Sequence, residues 1–246
     1  MADAPAWLTR QAYAHRGLFD GDIPENSLAA FSAAMDRGLG IECDLRVSAD
    51  GRAMVFHDAG LERLTGQPGT TALMKVGELT ALTLGSSAEH IPTLRDMLDL
   101  VAGRAPLLLE LKTDRRASVH KLCRAVRRDV EGYAGEVAVM SFDPRISTWF
   151  RSRMPDLPRG LVITEQDART LGGAVKRWLS LWHARPQFLA YDIRDLPSRF
   201  ATRQTNAGLP LLTWTVRSAA LLETAMECGA IPILEAAGVA AWDDAT

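Results

Sequence analysis

Glu42 and Asp44, in Ile41-Glu-Cys-Asp-Leu45, are two carboxylates set one residue apart in an apolar run. Alternate side chains of a strand share a face, so these two project together while Ile41, Cys43 and Leu45 project the other way. Two bare carboxylates on one buried face cost several kcal/mol each. A divalent cation removes that cost; an arginine or lysine partner in the core is the alternative. Glu110 interrupts a second apolar run, Pro106-Leu-Leu-Leu-Glu-Leu-Lys112, and Lys112 shares its face by the same period. Three carboxylates with no Cys or His among them form a hard-oxygen donor set that suits Mg²⁺, Ca²⁺ or Mn²⁺ better than zinc. The competing arrangement is an ion pair of Glu110 with Lys112 or Arg16 and no metal.

His15 and His57 close two further apolar runs, in Tyr13-Ala-His-Arg-Gly17 and Val55-Phe-His-Asp58. A lone histidine at a strand end is usually structural, but two beside a carboxylate cluster can divide the work of general base and general acid. His90, His120 and His183 fall in irregular or polar stretches and are given no role.

The elements that must hold these residues are read from hydrophobic period. Strand-like runs occur at Ala12–His15, Ile41–Val47, Met54–His57, Leu107–Leu111, Val137–Met140, Leu161–Ile163, Phe188–Tyr191, Leu211–Val216 and Ile231–Leu234. Helical spacing occupies Ser27–Arg37, Thr93–Val101, Ala117–Val130, Pro144–Arg153, Gln166–Trp182, Leu196–Asn206 and Ala219–Glu227. Each helix is long enough to return the chain to a parallel neighbouring strand. Ser48-Ala-Asp-Gly-Arg52 reads as a tight turn, making Ile41 to His57 a hairpin, and Asn26 or Ser27 can cap the helix that follows. Residues 58–92 carry no clean element and read as an insertion or lid. With no linker or composition break, residues 1–246 read as one domain, a TIM (β/α)₈ barrel with a small insertion after the second strand region; a barrel of this kind usually takes roughly 250 residues.

Composition narrows the function. The chain has 28 Lys plus Arg against 30 Asp plus Glu, a net charge of −2, and is 47% hydrophobic, which excludes a disordered chain. Near-neutrality gives no global field for a polyanion, so nucleic acid is not an expected partner. Cys43, Cys123 and Cys228 are too few and too far apart for a disulfide framework or a zinc site. Met1 to Gln11 lacks a basic segment followed by an apolar one, and no later run suits an integral membrane segment. A soluble cytoplasmic protein is expected, of unassigned oligomeric state.

Taken in order, Ala14-His-Arg-Gly17, Pro24-Glu-Asn-Ser-Leu-Ala-Ala-Phe31, Ile41-Glu-Cys-Asp-Leu-Arg46, Asp50-Gly51 and Val55-Phe-His-Asp58 resemble the signature of the glycerophosphodiester phosphodiesterase family. Ile91-Pro-Thr-Leu94, Leu109-Glu-Leu-Lys112, Ser141-Phe-Asp143 and Thr213-Trp-Thr-Val216 follow in the family's order. The resemblance implies a TIM barrel that hydrolyses glycerophosphodiesters to glycerol 3-phosphate and an alcohol, with a place in lipid and glycerol metabolism. It implies His15 and His57 as the acid/base pair and Glu42, Asp44 and Glu110 as ligands of Ca²⁺ or Mg²⁺. Arg16 and Lys112 would meet phosphate oxygens, and Trp214 would line the pocket beside the glycerol or the leaving alcohol. Glu25 and Asn26 would hydrogen-bond behind the ligands or assist at the metal. A lysophospholipase D type activity is the variant reading, and a barrel that binds phosphodiesters without turnover is the alternative from another class. Enolate chemistry at a Mg²⁺ site would want a lysine base, for which only Lys112 is placed.

Two departures stand out: Arg217 replaces the usual small polar residue after Thr213-Trp-Thr-Val216, and Ile231-Pro-Ile-Leu-Glu235 replaces the usual ending on Thr-Asp or Ser-Asp. Trp178 and Trp182, four apart on one helix face, read as packing of an outer helix on the barrel in preference to a membrane-resting or dimer surface. Arg115, Arg116 and the basic residues from Arg124 to Arg128 read as a solvated helix face, and Gly172-Gly173 lacks the context of a phosphate-binding turn.

Overall fold

The computed structural model describes residues 4–114, 116–166 and 168–245; Met1, Arg115 and the side chain of Arg116, named above, lie outside them. In chain order the elements begin with β1 (Tyr13–His15), α1 (Leu28–Asp36), β2 (Gly40–Val47), β3 (Ala53–Val55), α2 (Glu62–Thr65), α3 (Val76–Leu79) and α4 (Leu94–Val101). Next come β4 (Leu107–Leu111), α5 (Arg116–Val130), β5 (Val137–Ser141), α6 (Pro144–Arg153), β6 (Arg159–Ile163) and α7 (Leu171–Ala184). The chain closes with β7 (Phe188–Asp192), α8 (Arg199–Asn206), β8 (Leu211–Val216), α9 (Ala219–Glu227), β9 (Ile231–Leu234) and α10 (Ala237–Ala245). Strands alternate with helices and, β3 aside, run parallel: the fold is a TIM (β/α)₈ barrel.

The chain forms two compact units, residues 16–137 and residues 1–15 with 138–246. In the first, β2 pairs in parallel with β4, which sets Asp44 opposite Glu110, and antiparallel with β3, which sets Leu45 opposite Val55. The Ser48 N–H bonds to the Arg52 carbonyl at 3.0 Å, closing the expected hairpin. Both faces of β2 are buried, as a parallel strand requires, so its carboxylates are buried too. Ser27 starts α1 by accepting from the Ala30 N–H, and the Thr93 hydroxyl and Asp96 carboxylate cap α4 reciprocally. Gly17 is required where it stands: its φ is +80°, and a Cβ there would lie 2.7 Å from the Ala30 carbonyl carbon.

Within the insertion, α2, α3, a 3₁₀ turn at Thr71–Leu73 and isolated bridges at Gly60–Thr70 and Thr83–His90 supply the regularity. Leu61, Leu79, Leu84 and Ile91 pack on Met54 and Phe56, so the insertion has its own apolar cluster.

In the second unit β1 pairs with β9, and β9, β8, β7, β6 and β5 follow as parallel neighbours. Leu161, Ile163, Leu189, Tyr191 and Leu211 make its apolar cluster with Ala184 and Ala201 of the helices.

Several expectations change; the helix read from Leu196 starts at Arg199, where the Ser198 hydroxyl caps it. The helix read from Gln166 starts at Leu171, because Thr164, Glu165, Gln166 and Arg169 are hydrogen-bonded to the buried Asp195 carboxylate instead. A helix over Ala237–Ala245 was not anticipated; its Ala-rich stretch has little apolar contrast. The packing expected of Trp178 and Trp182 is found in part: Trp178 meets Phe200 edge to face at 5.2 Å and is 41% exposed, whereas Trp182 is 69% exposed. Ala184 is the buried residue of that helix.

Candidate active site

The unit of residues 16–137 holds the carboxylates. Glu42 and Asp44 share a face of β2, Glu110 stands opposite Asp44 on β4, and all three are buried, with ligand oxygens within 4.8 Å of one another. Lys112 Nζ lies 2.6 Å from Glu110 Oε1 and 3.1 Å from Asp44 Oδ1. Arg16 Nε lies 3.0 Å from Asp44 Oδ2, and its Nη1 donates to Glu25 Oε1 at 2.8 Å. The pair of Glu110 with Lys112 is therefore present, whereas Arg16 pairs with Asp44 and Glu25.

Two cations facing three carboxylates leave the cluster short of positive charge. Glu42 shows it: Oε2 accepts from the Arg16 N–H at 3.2 Å, but Oε1 is buried and accepts no hydrogen bond. Burial, reinforced by the charges of Asp44 and Glu110, pushes the Glu42 carboxyl well above the ordinary carboxylate range against the pull of Lys112 and Arg16. An orphaned buried oxygen in an all-carboxylate set is what a hard divalent cation would complete, so these residues fit such an ion.

Asn26 braces the cluster. Its side-chain amide donates to Asp44 Oδ2 at 3.1 Å and its side-chain oxygen accepts from the Asp44 N–H at 3.2 Å. Asn26 and Arg16 both adopt left-handed backbone, φ 57° and 58°. For Arg16 that costs about 1–2 kcal/mol. The hydrogen bond from the Asn26 N–H to the Arg16 carbonyl, 2.9 Å, holds both turns.

His57 follows β3 rather than ending it. Its carbonyl accepts from Arg46 Nε at 2.6 Å, and Arg46 is itself held by Asp114 at 2.8 Å. His57 Nδ1 lies 2.6 Å from Asp58 Oδ1. Arg63 bonds both Asp58 and Glu25, so a continuous polar chain runs from His57 through Asp58, Arg63 and Glu25 to Arg16. Arg46, Asp58 and Arg63 were not singled out by sequence reasoning. Asp58 carried a signal, its position directly after the histidine, and so did Arg46, which shares the strand face of Glu42 and Asp44 by the two-residue period.

The other unit holds His15, Trp214 and the two departures. His15 Nδ1 lies 2.7 Å from Glu235 Oε2. Arg217 forks onto the same carboxylate, Nε to Oε1 at 2.8 Å and Nη2 to Oε2 at 2.9 Å. Burial alone would raise the Glu235 carboxyl, but the hydrogen bonds from His15 and Arg217 hold it down to about 2. The two atypical residues thus meet as one clamp behind a histidine. The Trp214 indole N–H donates to the Ala190 carbonyl at 3.1 Å, and its ring meets Phe142 edge to face at 5.6 Å.

Each histidine presents Nδ1 to a carboxylate. An ionised carboxylate only accepts, so Nδ1 carries the proton in both rings and Nε2 is left to exchange one. Replacing Glu235 with Ala is expected to lower turnover by at least about 10-fold with KM little changed, since the ring loses the carboxylate that sets its orientation and tautomer; Glu235→Asp should recover part of it. The clamp adds stability that is complete above about pH 4.5 and lost as pH falls toward about 2, since the folded value lies below the unfolded one. Thermal melts of parent and Glu235→Gln should therefore converge across that window.

The glycerophosphoryl diester phosphodiesterase family profile matches residues 15–240. A glycerophosphodiester phosphodiesterase of Caldanaerobacter subterraneus subsp. tengcongensis is 27% identical over 88% of this chain and 89% of its own. One of Bacillus altitudinis is 31% identical over 59% of this chain, and that alignment spans 63% of the relative's length. Among solved structures, a phosphodiesterase of Oleispira antarctica in complex with the product sn-glycerol-3-phosphate superposes with a TM-score of 0.83 at 23% identity, over 96% of both chains. That likeness is one of fold. No helix among the described residues is long and apolar enough to cross a membrane.

Proposed function

The chain belongs to the glycerophosphoryl diester phosphodiesterase family, and from that premise we propose that it hydrolyses glycerophosphodiesters to glycerol 3-phosphate and an alcohol at a metal-dependent, two-histidine site. The observation that carries the metal dependence is the orphaned Glu42 Oε1 in the buried cluster with Asp44 and Glu110. Glu42, Asp44 and Glu110 would hold Ca²⁺ or Mg²⁺, which when bound supplies positive charge to a phosphate whose negative charge grows toward the transition state.

The protein's own groups do the rest. Arg16 and Lys112, now turned onto Asp44 and Glu110, offer donors that a phosphate oxygen would share; their positive charge lies where the new charge develops. Asn26 and Glu25 hold Asp44 and Arg16 in place. One imidazole Nε2 accepts the proton of the attacking hydroxyl as its oxygen bonds to phosphorus. The other gives a proton to the alcohol oxygen as the old P–O bond breaks. If the attacker is the neighbouring glycerol hydroxyl, a cyclic phosphate forms and water opens it; if it is water, glycerol 3-phosphate forms at once. Detection of the cyclic species by ³¹P NMR separates the two.

Phe142, half-exposed beside Trp214, gives a specific reason for a second reading. That apolar wall could take an acyl chain, making lysophospholipids substrates and lysophosphatidate the product.

The test is a panel of glycerophosphocholine, glycerophosphoethanolamine, glycerophosphoglycerol and lysophospholipids, assayed with Ca²⁺, Mg²⁺ or EDTA. Chelation is expected to lower turnover by at least about 100-fold, the scale of several kcal/mol of charge stabilisation, and one of the two ions should restore it. Full turnover in EDTA would end the metal reading. Cleavage of no member of the panel would end the hydrolase reading.

A further inference from the structure

Helix α7 carries an apolar stripe that the fold leaves uncovered. Leu171, Val175, Trp178, Leu179 and Trp182 fall at i, i+4, i+7, i+8 and i+11, one face of a helix, and all five are exposed, Leu171 at 89% and Leu179 at 60%. Beside it an apolar groove of about 520 Å³ runs between Trp178, Leu181, Trp182 and Leu209. On the other side of Trp178 a second cavity, of about 540 Å³, is lined by five arginines: Arg169, Arg177, Arg194, Arg199 and Arg203. Arg203 lies over the Trp178 ring at 5.0 Å and Arg177 over Phe200 at 5.9 Å, so the two environments meet at shared aromatic rings.

Among the described residues, the charge that this face leaves unpaired is positive. From Ala168 to Tyr191 the sequence holds Arg169, Lys176, Arg177 and Arg185 and no Asp or Glu, and none occurs from Leu196 to Leu222 either. The acidic side chains that do line the arginine cavity are already engaged: Asp195 with Arg169 at 3.0 Å, Glu165 with Arg177 at 3.1 Å. Lys176, Arg199 and Arg203 have no carboxylate partner among the described residues. In a protein of net charge −2 this is a local concentration of positive charge around exposed Trp and Leu.

We propose that this face docks on a bilayer surface containing anionic phospholipid, the indoles and leucines entering the headgroup boundary and Lys176, Arg199 and Arg203 meeting lipid phosphates. The chemistry matches on both counts. Indole rings settle at the headgroup level with the ring apolar and the N–H wet, and basic side chains around an apolar helix face are drawn to anionic lipid. A second copy of this chain fits less well, because a two-fold contact through α7 would set these cations against their own images.

The test uses the full chain and reads binding rather than turnover, so its outcome is independent of the hydrolase reading. Flotation is run with vesicles of phosphatidylcholine alone and of phosphatidylcholine mixed with phosphatidylglycerol. Partitioning onto the mixed vesicles is expected to exceed that onto neutral ones by at least about tenfold and to weaken with salt, since each basic group near such a surface contributes about fivefold. Arg199→Glu with Arg203→Glu should remove that preference, and Leu179→Ser with Trp182→Ser should weaken binding to both. Thermal midpoints like the parent's show that these surface variants fold. The proposal is overturned if the parent ignores anionic vesicles or if both double variants bind them as the parent does. It is also overturned if light scattering finds a dimer that Leu179→Ser with Trp182→Ser dissociates, which assigns the face to a second copy. Soluble acidic polypeptide displacing no protein from vesicles supports the proposal; capture of that polypeptide with no vesicle binding overturns it.

Discussion

His15→Ala and His57→Ala are each expected to lower kcat for glycerophosphocholine by about 10²- to 10⁴-fold, the contribution of a positioned general acid or base, with KM moving little. Each ring has its Nδ1 committed to a carboxylate, Glu235 for His15 and Asp58 for His57, at 2.7 and 2.6 Å. Only Nε2 is left to move a proton, and alanine removes it. The two variants should part company on a glycerophosphodiester with an aryl leaving group. An aryl oxide departs without a proton, so the variant lacking the general acid regains most of its activity while the variant lacking the base stays slow. That comparison assigns the roles. Activity within a few-fold of the parent for either variant on glycerophosphocholine removes that histidine from the mechanism.

Glu42→Gln is expected to act in opposite directions on activity and on stability. With metal supplied, turnover should fall by at least about 100-fold. Without metal, the variant should melt higher than the parent. Glu42 is buried beside Asp44 and Glu110, and its carboxyl is held well above the usual range by burial first and then by those charges. The sign follows from proton linkage. Above about pH 4.5 the unfolded chain has released this proton while the folded chain still holds it, so the metal-free parent loses stability as pH rises toward the folded value. Glutamine has no such proton, and the melting gap should widen with pH through that window. Adding Ca²⁺ or Mg²⁺ at about a hundred times its dissociation constant should raise the parent's melting point by roughly 5 to 11 °C, from about 2.7 kcal/mol of linkage, and leave the variant nearly unmoved. A Glu42→Gln protein that melts below the metal-free parent, or that gains as much from the ion, contradicts the cluster's assignment.

Much of the carboxylate half was legible in the residues because its logic is local. The two-residue period of a strand sets Glu42 with Asp44 and Glu110 with Lys112, and the turn at Ser48–Arg52 brings β3 back along β2. Caps at Ser27 and Thr93 mark helix starts within a residue or two of where they occur. The reading failed where local signals were outcompeted. Asp195 holds Thr164, Glu165, Gln166 and Arg169 outside the helix that the spacing assigns from Gln166 onward. Trp178 and Trp182 show the other limit: a shared helix face is set by spacing, but whether it meets the core or solvent depends on what packs against it.

The order of the strands and of helices α1 and α4 to α9, the shared faces behind the carboxylate group of Glu42, Asp44 and Glu110, and the placing of His15 and His57 after apolar runs were determined by the sequence alone, through side-chain period and residue chemistry. Tertiary structure decided the partners. His15 finds Glu235 across 220 residues only because β1 pairs with β9, and Arg63 finds Glu25 across 38 because the insertion folds back. Such pairs leave no periodic trace, since their geometry exists only once distant strands are in register. The pairing of β8 with β9 joins Arg217 to Glu235 in the same way, so that two departures from the family pattern become one clamp.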